Sequence, residues 1–142
     1  MKDVEMWLKH HEGFESKPYY DTEGHLTIGF GRNLDALGIS EDEAAYLLKN
    51  DIKRCIKELS QYSWYLTQPD VVRMALVNMC FMGINKLCGF TRMITALIEK
   101  DYTKASIEAL DSKWANQVGQ RAKDVAMMIS MGRDEARMPN CS

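Results

Sequence analysis

The stretch Ser40-Glu41-Asp42-Glu43, followed by Ala44, Ala45, Leu47, Leu48, Ile52, Cys55, Ile56 and Leu59, constrains this chain more than any other part of it. Serine followed three residues later by glutamate is a capping box, in which each side chain satisfies the other residue's backbone N–H at a helix start. The apolar positions after it recur at helical spacing, so they predict a helix of roughly twenty residues, about 30 Å long by its rise. The chain has 142 residues, one domain's length, and can bury a core without disulfides or metals. A helix of that length is long for a small domain, and such helices often join two lobes.

On the N-terminal side, Asp3 is the expected cap of a first helix with Val4, Trp7, Leu8 and His11 on one face and Gly13 at its end. Glu12 then falls in the last turn, where the helix dipole is unfavourable to a carboxylate. Pro18 breaks helix, and Asp21-Thr22-Glu23-Gly24 has turn chemistry. Leu26, Ile28 and Phe30 alternate with Thr27, Gly29 and Gly31, which predicts a short hairpin or three-stranded sheet. Glycines within a strand often mark close approach of another backbone or a ligand. Residues 33–39 read as a loop.

Beyond the long helix, residues 61–68 read as a loop buried through Trp64, Tyr65 and Leu66. Pro69-Asp70 opens a helix striped by Val72, Leu76, Met79 and Cys80. It is apolar nearly all round and hence the centre of a helical lobe, with Gly83 as its end. Thr91 is the expected cap of the next helix. Helices are also expected over 102–110, 112–118 and 121–131, and a polar, frayed tail over 133–142 containing Pro139. The expected fold is α+β, mostly α: one domain over 1–142, with lobes roughly 12–60 and 61–142.

A composition of 46% hydrophobic and 27% charged residues speaks against disorder, and no repeat recurs. Without an apolar secretory run or a stretch able to span a bilayer, the expectation is a soluble cytoplasmic chain. Cys55, Cys80, Cys88 and Cys141 lack C-x-x-C spacing, so free, buried thiols are expected rather than disulfides or a metal site. The ten methionines read as core filler. His10, His11 and His25 lack metal-ligand spacing and read as surface or structural residues. Residues 1–60 carry 8 Lys/Arg against 12 Asp/Glu, whereas residues 61–142 carry 10 against 8. That asymmetry describes either an ordinary solvated surface or a second half that meets an anionic polymer.

Glu12 at a helix end, Asp21 on a turn and Thr27 on a strand bring two carboxyl groups and a hydroxyl into few residues. One acid to protonate a leaving oxygen, and one carboxylate to act as base or nucleophile with a water held by the hydroxyl, suits glycoside hydrolysis. The surrounding residues carry more information than the spacing does. Glu12-Gly13, then Tyr20-Asp21-Thr22-Glu23-Gly24, then Leu26-Thr27-Ile28-Gly29-Phe30-Gly31, resembles the pattern of the bacteriophage-type lysozymes, the T-even phage family of endolysins or muramidases. Ser40-Glu41-Asp42-Glu43-Ala44, Ala75-Leu76-Val77-Asn78-Met79, Gly89-Phe90-Thr91, Trp114-Ala115-Asn116-Gln117 and Arg121-Ala122 extend the resemblance, in order, over nearly the whole chain.

The resemblance implies a small β-containing N-terminal lobe joined by the long helix to a helical C-terminal lobe. It also implies that the first helix packs on the C-terminal lobe and that glycan binds between the lobes. It implies Glu12 as general acid, Asp21 as the opposing carboxylate and Thr27 as the hydroxyl that helps place water, in an inverting reaction on the β-1,4 bond between N-acetylmuramic acid and N-acetylglucosamine. A retaining reaction with Asp21 as nucleophile is the alternative. Arg121 corresponds to the family's arginine near the acid and is expected to clamp Glu12, the alternative being an exposed helix-start arginine. Phe81 is a candidate to stack on a sugar, or else a core aromatic. Glu23 and Asn33 are candidates to hydrogen-bond sugar or peptide groups.

No cofactor is expected. The expected partner is the peptidoglycan glycan strand, with no nucleic acid and no integral membrane segment, and the expected state is a monomer. The chain would wait in the host cytoplasm until the membrane is opened. Some features depart from the family. A glutamine common after the Cys80-Phe81 position is missing, as is a short helix before the long one, and the tail is short. Arg32 stands where histidine is frequent, and an ion pair of Arg32 with Asp51 is expected. A lytic transglycosylase, a catalytically silent peptidoglycan-binding module and a helical interaction domain are the competing readings.

Overall fold

The structure, a computed structural model, describes residues 1–137. Residues 138–142 of the expected frayed tail, Pro139 and Cys141 among them, lie outside the described residues. The chain divides into two compact units, Met1–Leu48 and Lys49–Ser142. The fold is α+β, with one small sheet in the first unit and helices through the second. Among the described residues no helix is long and apolar enough to cross a membrane.

In the first unit, α1 (Lys2–Glu12) begins two residues earlier than its sequence suggests. Met1 sits at the N-cap without a side-chain bond, and Asp3 lies inside the first turn, where its charge still suits the helix dipole. Gly13 ends the helix at φ +68°, its N–H bonded to the Lys9 carbonyl. The strands β1 (Glu15–Tyr20), β2 (Leu26–Gly29) and β3 (Arg32–Asn33) form an antiparallel sheet in the order β1-β2-β3. Pro18 is tolerated because β1 is an edge strand, and the register slips between Glu15 and Tyr19, around the residue that has no N–H to give. β2 is central, pairing Thr27 with Tyr19 on one side and with Asn33 on the other.

The connection read as a loop, with the short helix before the long one expected to be missing, does contain a single-turn helix, α2 (Leu34–Leu37), capped by the Asn33 side chain, which accepts the Ala36 N–H at 3.0 Å. Four residues are too few to display a helical period, which is why the pattern missed it. The helix α3 (Glu41–Leu59) begins as expected: Glu43 N–H donates to Ser40 Oγ at 3.1 Å, and Ser40 N–H to Glu43 Oε1 at 2.9 Å. Glu43 also takes the expected partner of Asp51. Arg32 donates to its two carboxylate oxygens at 3.0 and 2.6 Å and to the Gly38 carbonyl at 3.1 Å, while Asp51 pairs with Arg54 at 2.8 Å. The capping box aims the Glu43 carboxylate at the fork of Arg32, and Asp51 finds a cation three residues on along its own helix.

The second unit comprises the rest of α3, α4 (Ser63–Leu66), α5 (Asp70–Cys80), α6 (Ile84–Cys88), α7 (Thr91–Ile98), α8 (Tyr102–Leu110), α9 (Lys113–Val118), α10 (Gln120–Ser130) and α11 (Gly132–Arg137). As its pattern requires, α5 is central: Val72, Ala75, Leu76, Met79 and Cys80 are buried. Cys55 and Leu59 from α3, Leu97 from α7, Ala105 from α8 and Val125 and Ile129 from α10 join the same core. The expected loop contains the single-turn helix α4, whose Tyr65 is buried in the core while Leu66, expected to be buried, is exposed. Gln68 is also buried. It accepts from Tyr102 Oη at 2.7 Å and donates to the carbonyls of Trp64 at 2.7 Å and Leu97 at 3.1 Å, so its amide has partners on both sides.

Other differences are local. Phe90 occupies the N-cap of α7 and Thr91 its first turn, whereas Asp101 and Ser112 cap α8 and α9 with side-chain bonds. Met79 and Met93 are core, but Met74, Met127 and Met131 are exposed, so the methionines are only partly filler. Cys55 and Cys80 are buried free thiols and Cys88 a half-buried one. Burial pushes the Cys80 thiol up to about 12, with the Cys55 thiol beside it adding to the shift. Where fraying was expected, α11 begins at Gly132, whose missing side chain lets Val72 and Tyr102 approach: a Cβ there would stand 2.6 Å from Val72 Cγ2.

Replacing Ser40 by alanine removes the acceptor for the Glu43 N–H and is expected to cost about 1 kcal/mol, whereas glycine at the same position costs roughly a few tenths. Urea denaturation of the three proteins measures this. Equal midpoints for Ser40→Ala and wild type would show that the box contributes nothing.

Candidate active site

Asp21 follows directly on β1, and its conformation is set by a short loop closing on itself. Its N–H donates to the His25 carbonyl at 2.9 Å and its own carbonyl accepts the Gly24 N–H at 3.0 Å. Gly24 supplies the positive φ, +82°, that this closure needs. The side chain completes the turn: Oδ1 accepts the Glu23 N–H at 2.9 Å and the His25 N–H at 2.8 Å. The His25 N–H foremost, then the Glu23 N–H and the His25 side chain, hold the Asp21 carboxyl below its ordinary value against a smaller opposing effect of desolvation. Asp21 is therefore kept as an anion, one oxygen occupied by backbone and the other, Oδ2, left for other partners.

Thr27 lies on the central strand with 3% exposure and donates its hydroxyl proton to the His25 carbonyl at 2.8 Å. That bond uses the donor. What Oγ1 still offers its surroundings is lone pairs, so a water meeting it does so as a donor.

Glu12 ends α1, and its carboxyl rests on the turn between β2 and β3. Gly31 has φ +78°, and a Cβ built there would stand 2.7 Å from Glu12 Oε2 and 2.9 Å from Cδ. The positive φ favours glycine, and a side chain here would have to displace the Glu12 carboxyl. Of the two glycines of the pattern, Gly31, in the turn, marks a close approach, that of the Glu12 side chain, whereas at Gly29 a Cβ would meet nothing within 4 Å. Glu12 meets the hairpin beyond the Gly29 end of β2 and Asp21 lies before its Leu26 end, with Thr27 on the strand between.

Of the remaining candidates in this unit, Glu23 is highly exposed beside Asp21, and Asn33 has its carbonyl oxygen committed to the cap of α2. Phe81 and Arg121 belong to the second unit. Phe81 immediately follows α5 and is 39% exposed, so it is not a core aromatic. Arg121, in the first turn of α10, donates through Nε to Asn78 Oδ1 at 2.7 Å and through a terminal nitrogen to the Asn78 carbonyl at 2.8 Å. It is anchored near the C-terminal end of α5, where the helix dipole favours a cation. Asn78 and Gly31 were not singled out as site residues from the sequence. For Gly31 the signal was present in the strand pattern, whereas nothing local marked Asn78 as a partner of Arg121.

Comparison with known proteins gives a match to the phage lysozyme family model over residues 9–128. The chain is 29% identical over 160 aligned positions to the pre-baseplate central spike protein Gp5 of Enterobacteria phage T4, an alignment covering 91% of this chain and 28% of that protein. It is 26% identical over 163 positions to probable T4-type lysozyme 1 of Dictyostelium discoideum, covering 93% of this chain and 96% of that one. The chain therefore spans under a third of the phage T4 protein's length.

Titration of the Asp21 carboxyl carbon by NMR is expected to give a midpoint below 3.8, the ordinary value. A depressed folded-state value means that Asp21 contributes stability above its unfolded pKa, lost as pH falls through the folded one. A midpoint at or above the ordinary value would show that the turn does not hold the anion.

Proposed function

We propose that this chain, which belongs to the phage lysozyme family of glycoside hydrolases, is a muramidase that hydrolyses the β-1,4 bond between N-acetylmuramic acid and N-acetylglucosamine of bacterial peptidoglycan. The observation that carries the reading is the placement of two acids at opposite ends of one short strand, Asp21 held as an anion and Glu12 seated on Gly31, with a buried hydroxyl between them.

Glu12 protonates the glycosidic oxygen as the bond breaks. A water donates one hydrogen to Thr27 Oγ1, whose own proton is committed to the His25 carbonyl, and the other to Asp21 Oδ2. With both hydrogens so engaged, the water's lone pair is free to attack the anomeric carbon, and Asp21 takes its proton. Inversion of configuration follows, because the acid and the base work from opposite faces of the sugar. It calls for carboxyl groups about 6.5–9.5 Å apart, whereas retention needs about 5–5.5 Å. The Asp21 turn before the Leu26 end of β2 and the Glu12 contact at Gly31 beyond its Gly29 end support the wider arrangement.

Glu23 and Asn33, through its free amide NH2, serve as polar contacts for glycan in the first unit. Phe81, as a stacking surface, and Arg121 join the proposal as substrate-binding residues of the second. The enzyme works as a monomer on the glycan strand at the cell wall. Retention in the host cytoplasm until the membrane is opened belongs to the same proposal, with lysis as the outcome.

Digestion of purified peptidoglycan tests it. Wild type is expected to release reducing ends, with the anomer formed first inverted by NMR. Glu12→Gln and Asp21→Asn are each expected to lose on the order of 100-fold or more in rate, the scale of general acid–base catalysis. Anhydro-sugar products would assign a lytic transglycosylase instead, and binding to sacculi without clearance a binding module.

A further inference from the structure

We propose that His25 is a positioning residue for the base: its imidazole clasps the side chains of Asp21 and Glu23 and sets the direction of the Asp21 oxygen that receives the proton from water. The inference rests on the role of Asp21 proposed above and adds a residue to it.

Its ground is an arrangement within six residues of chain. Oδ1 of Asp21 is occupied by two backbone N–H groups, which leaves the carboxylate plane to be set by whatever engages Oδ2. His25 Nδ1 stands 3.6 Å from Asp21 Oδ2 and 3.7 Å from Glu23 Oε2. The ring is thus placed between the two carboxylates at a distance too long for a good neutral hydrogen bond and short enough for an ion pair. Protonated, it carries N–H donors and a positive charge toward both acids; deprotonated, it loses the charge. The charged groups around it are Asp21 and Glu23 on its own turn and, from α2, Asp35, whose Oδ2 accepts the neighbouring Leu26 N–H at 2.8 Å. From β1, Tyr19 and Tyr20 pair with Thr27 and Leu26. The charge of the imidazole favours the Asp21 anion.

The backbone of residue 25 is equally committed. Its N–H donates to Asp21 Oδ1, and its carbonyl accepts both the Asp21 N–H and the Thr27 hydroxyl. Any residue except proline keeps those bonds, so substitution at this position removes the imidazole without dismantling the turn. Asp21, Glu23 and His25 alternate along the chain at i, i+2 and i+4, which closes the clasp locally.

The test compares wild type, His25→Ala, His25→Gln and His25→Lys in full-length protein, measuring kcat and KM for peptidoglycan hydrolysis against pH and titrating the Asp21 carboxyl by NMR without substrate. His25→Ala is expected to lower kcat about tenfold, as a misdirected catalytic group does, with KM within about twofold. Alanine and glutamine are expected to move the acidic limb and the Asp21 midpoint upward, and lysine, which keeps the charge, to restore both. A wild-type kcat and acidic limb in His25→Gln would overturn the proposal, as would a change confined to KM. If wild type itself releases no reducing ends, the muramidase reading fails, and the NMR titration decides the clasp separately: an Asp21 midpoint unmoved in His25→Gln overturns it.

Discussion

One carboxylate, that of Glu43, ties the start of the long helix to the sheet. It accepts the Ser40 N–H that would otherwise go unpaired at the helix start, and it receives both arms of the Arg32 guanidinium from β3. Arg32 in turn holds the Gly38 carbonyl, so the connection from sheet to helix is closed at both ends. The Ser40 N–H first, then Arg32, keeps the Glu43 carboxyl below its ordinary range. Its contribution is present above the unfolded pKa and is lost as pH falls through the folded one. An exposed ion pair alone stabilises little. The weight of this one is geometric: β3 pairs with β2, β2 carries Thr27, and the turn after β2 carries the glycine that seats Glu12.

The two units are held together internally by different means. The second has a continuous apolar core around α5, whose residues tolerate little change in volume. In the first unit α1 buries no residue, and the side chain below 4% exposure is that of Thr27, a polar one. An apolar groove lined by Phe14, Ile28, Phe30, Leu34, Tyr46 and Leu47 stays open beside the sheet. Order in this unit comes from caps, turn bonds and glycines rather than from close packing. That suits a site built of polar groups, whose directions hydrogen bonds specify more sharply than apolar contacts do.

What could be read from the sequence follows the same division. The capping box, the stripe of α5 and the alternation of β2 are repeated local patterns, and the structure contains all three. Short or non-repeating features were less legible. Leu34–Leu37 and Ile84–Cys88 are helices of four and five residues, too short for a period to show. Arg32 had several acids to choose from, and the choice was made by where the capping box points Glu43, which no spacing encodes. Thr91 is a good capping residue by type, yet Phe90 holds the cap position because the chain enters the helix one residue earlier. His25 was judged by its distance in sequence from cysteines and other histidines, as a metal ligand would be; its partners are the carboxylates two and four residues before it.

The division of labour proposed for the two acids rests on how each is attached rather than on what each is. Asp21 meets N–H donors, which stabilise charge, and its turn spends one oxygen on backbone and leaves the other to further partners. Glu12 is positioned by space: the absence of a side chain at Gly31 admits its carboxyl against the hairpin. A base has to remain an anion while it waits for a proton, and an acid has to be able to hold one and release it. The backbone donors of the turn meet the first demand at Asp21, the proposed base, and Thr27, fixed by the same His25 carbonyl that closes the Asp21 turn, is the hydroxyl proposed to hold water beside it.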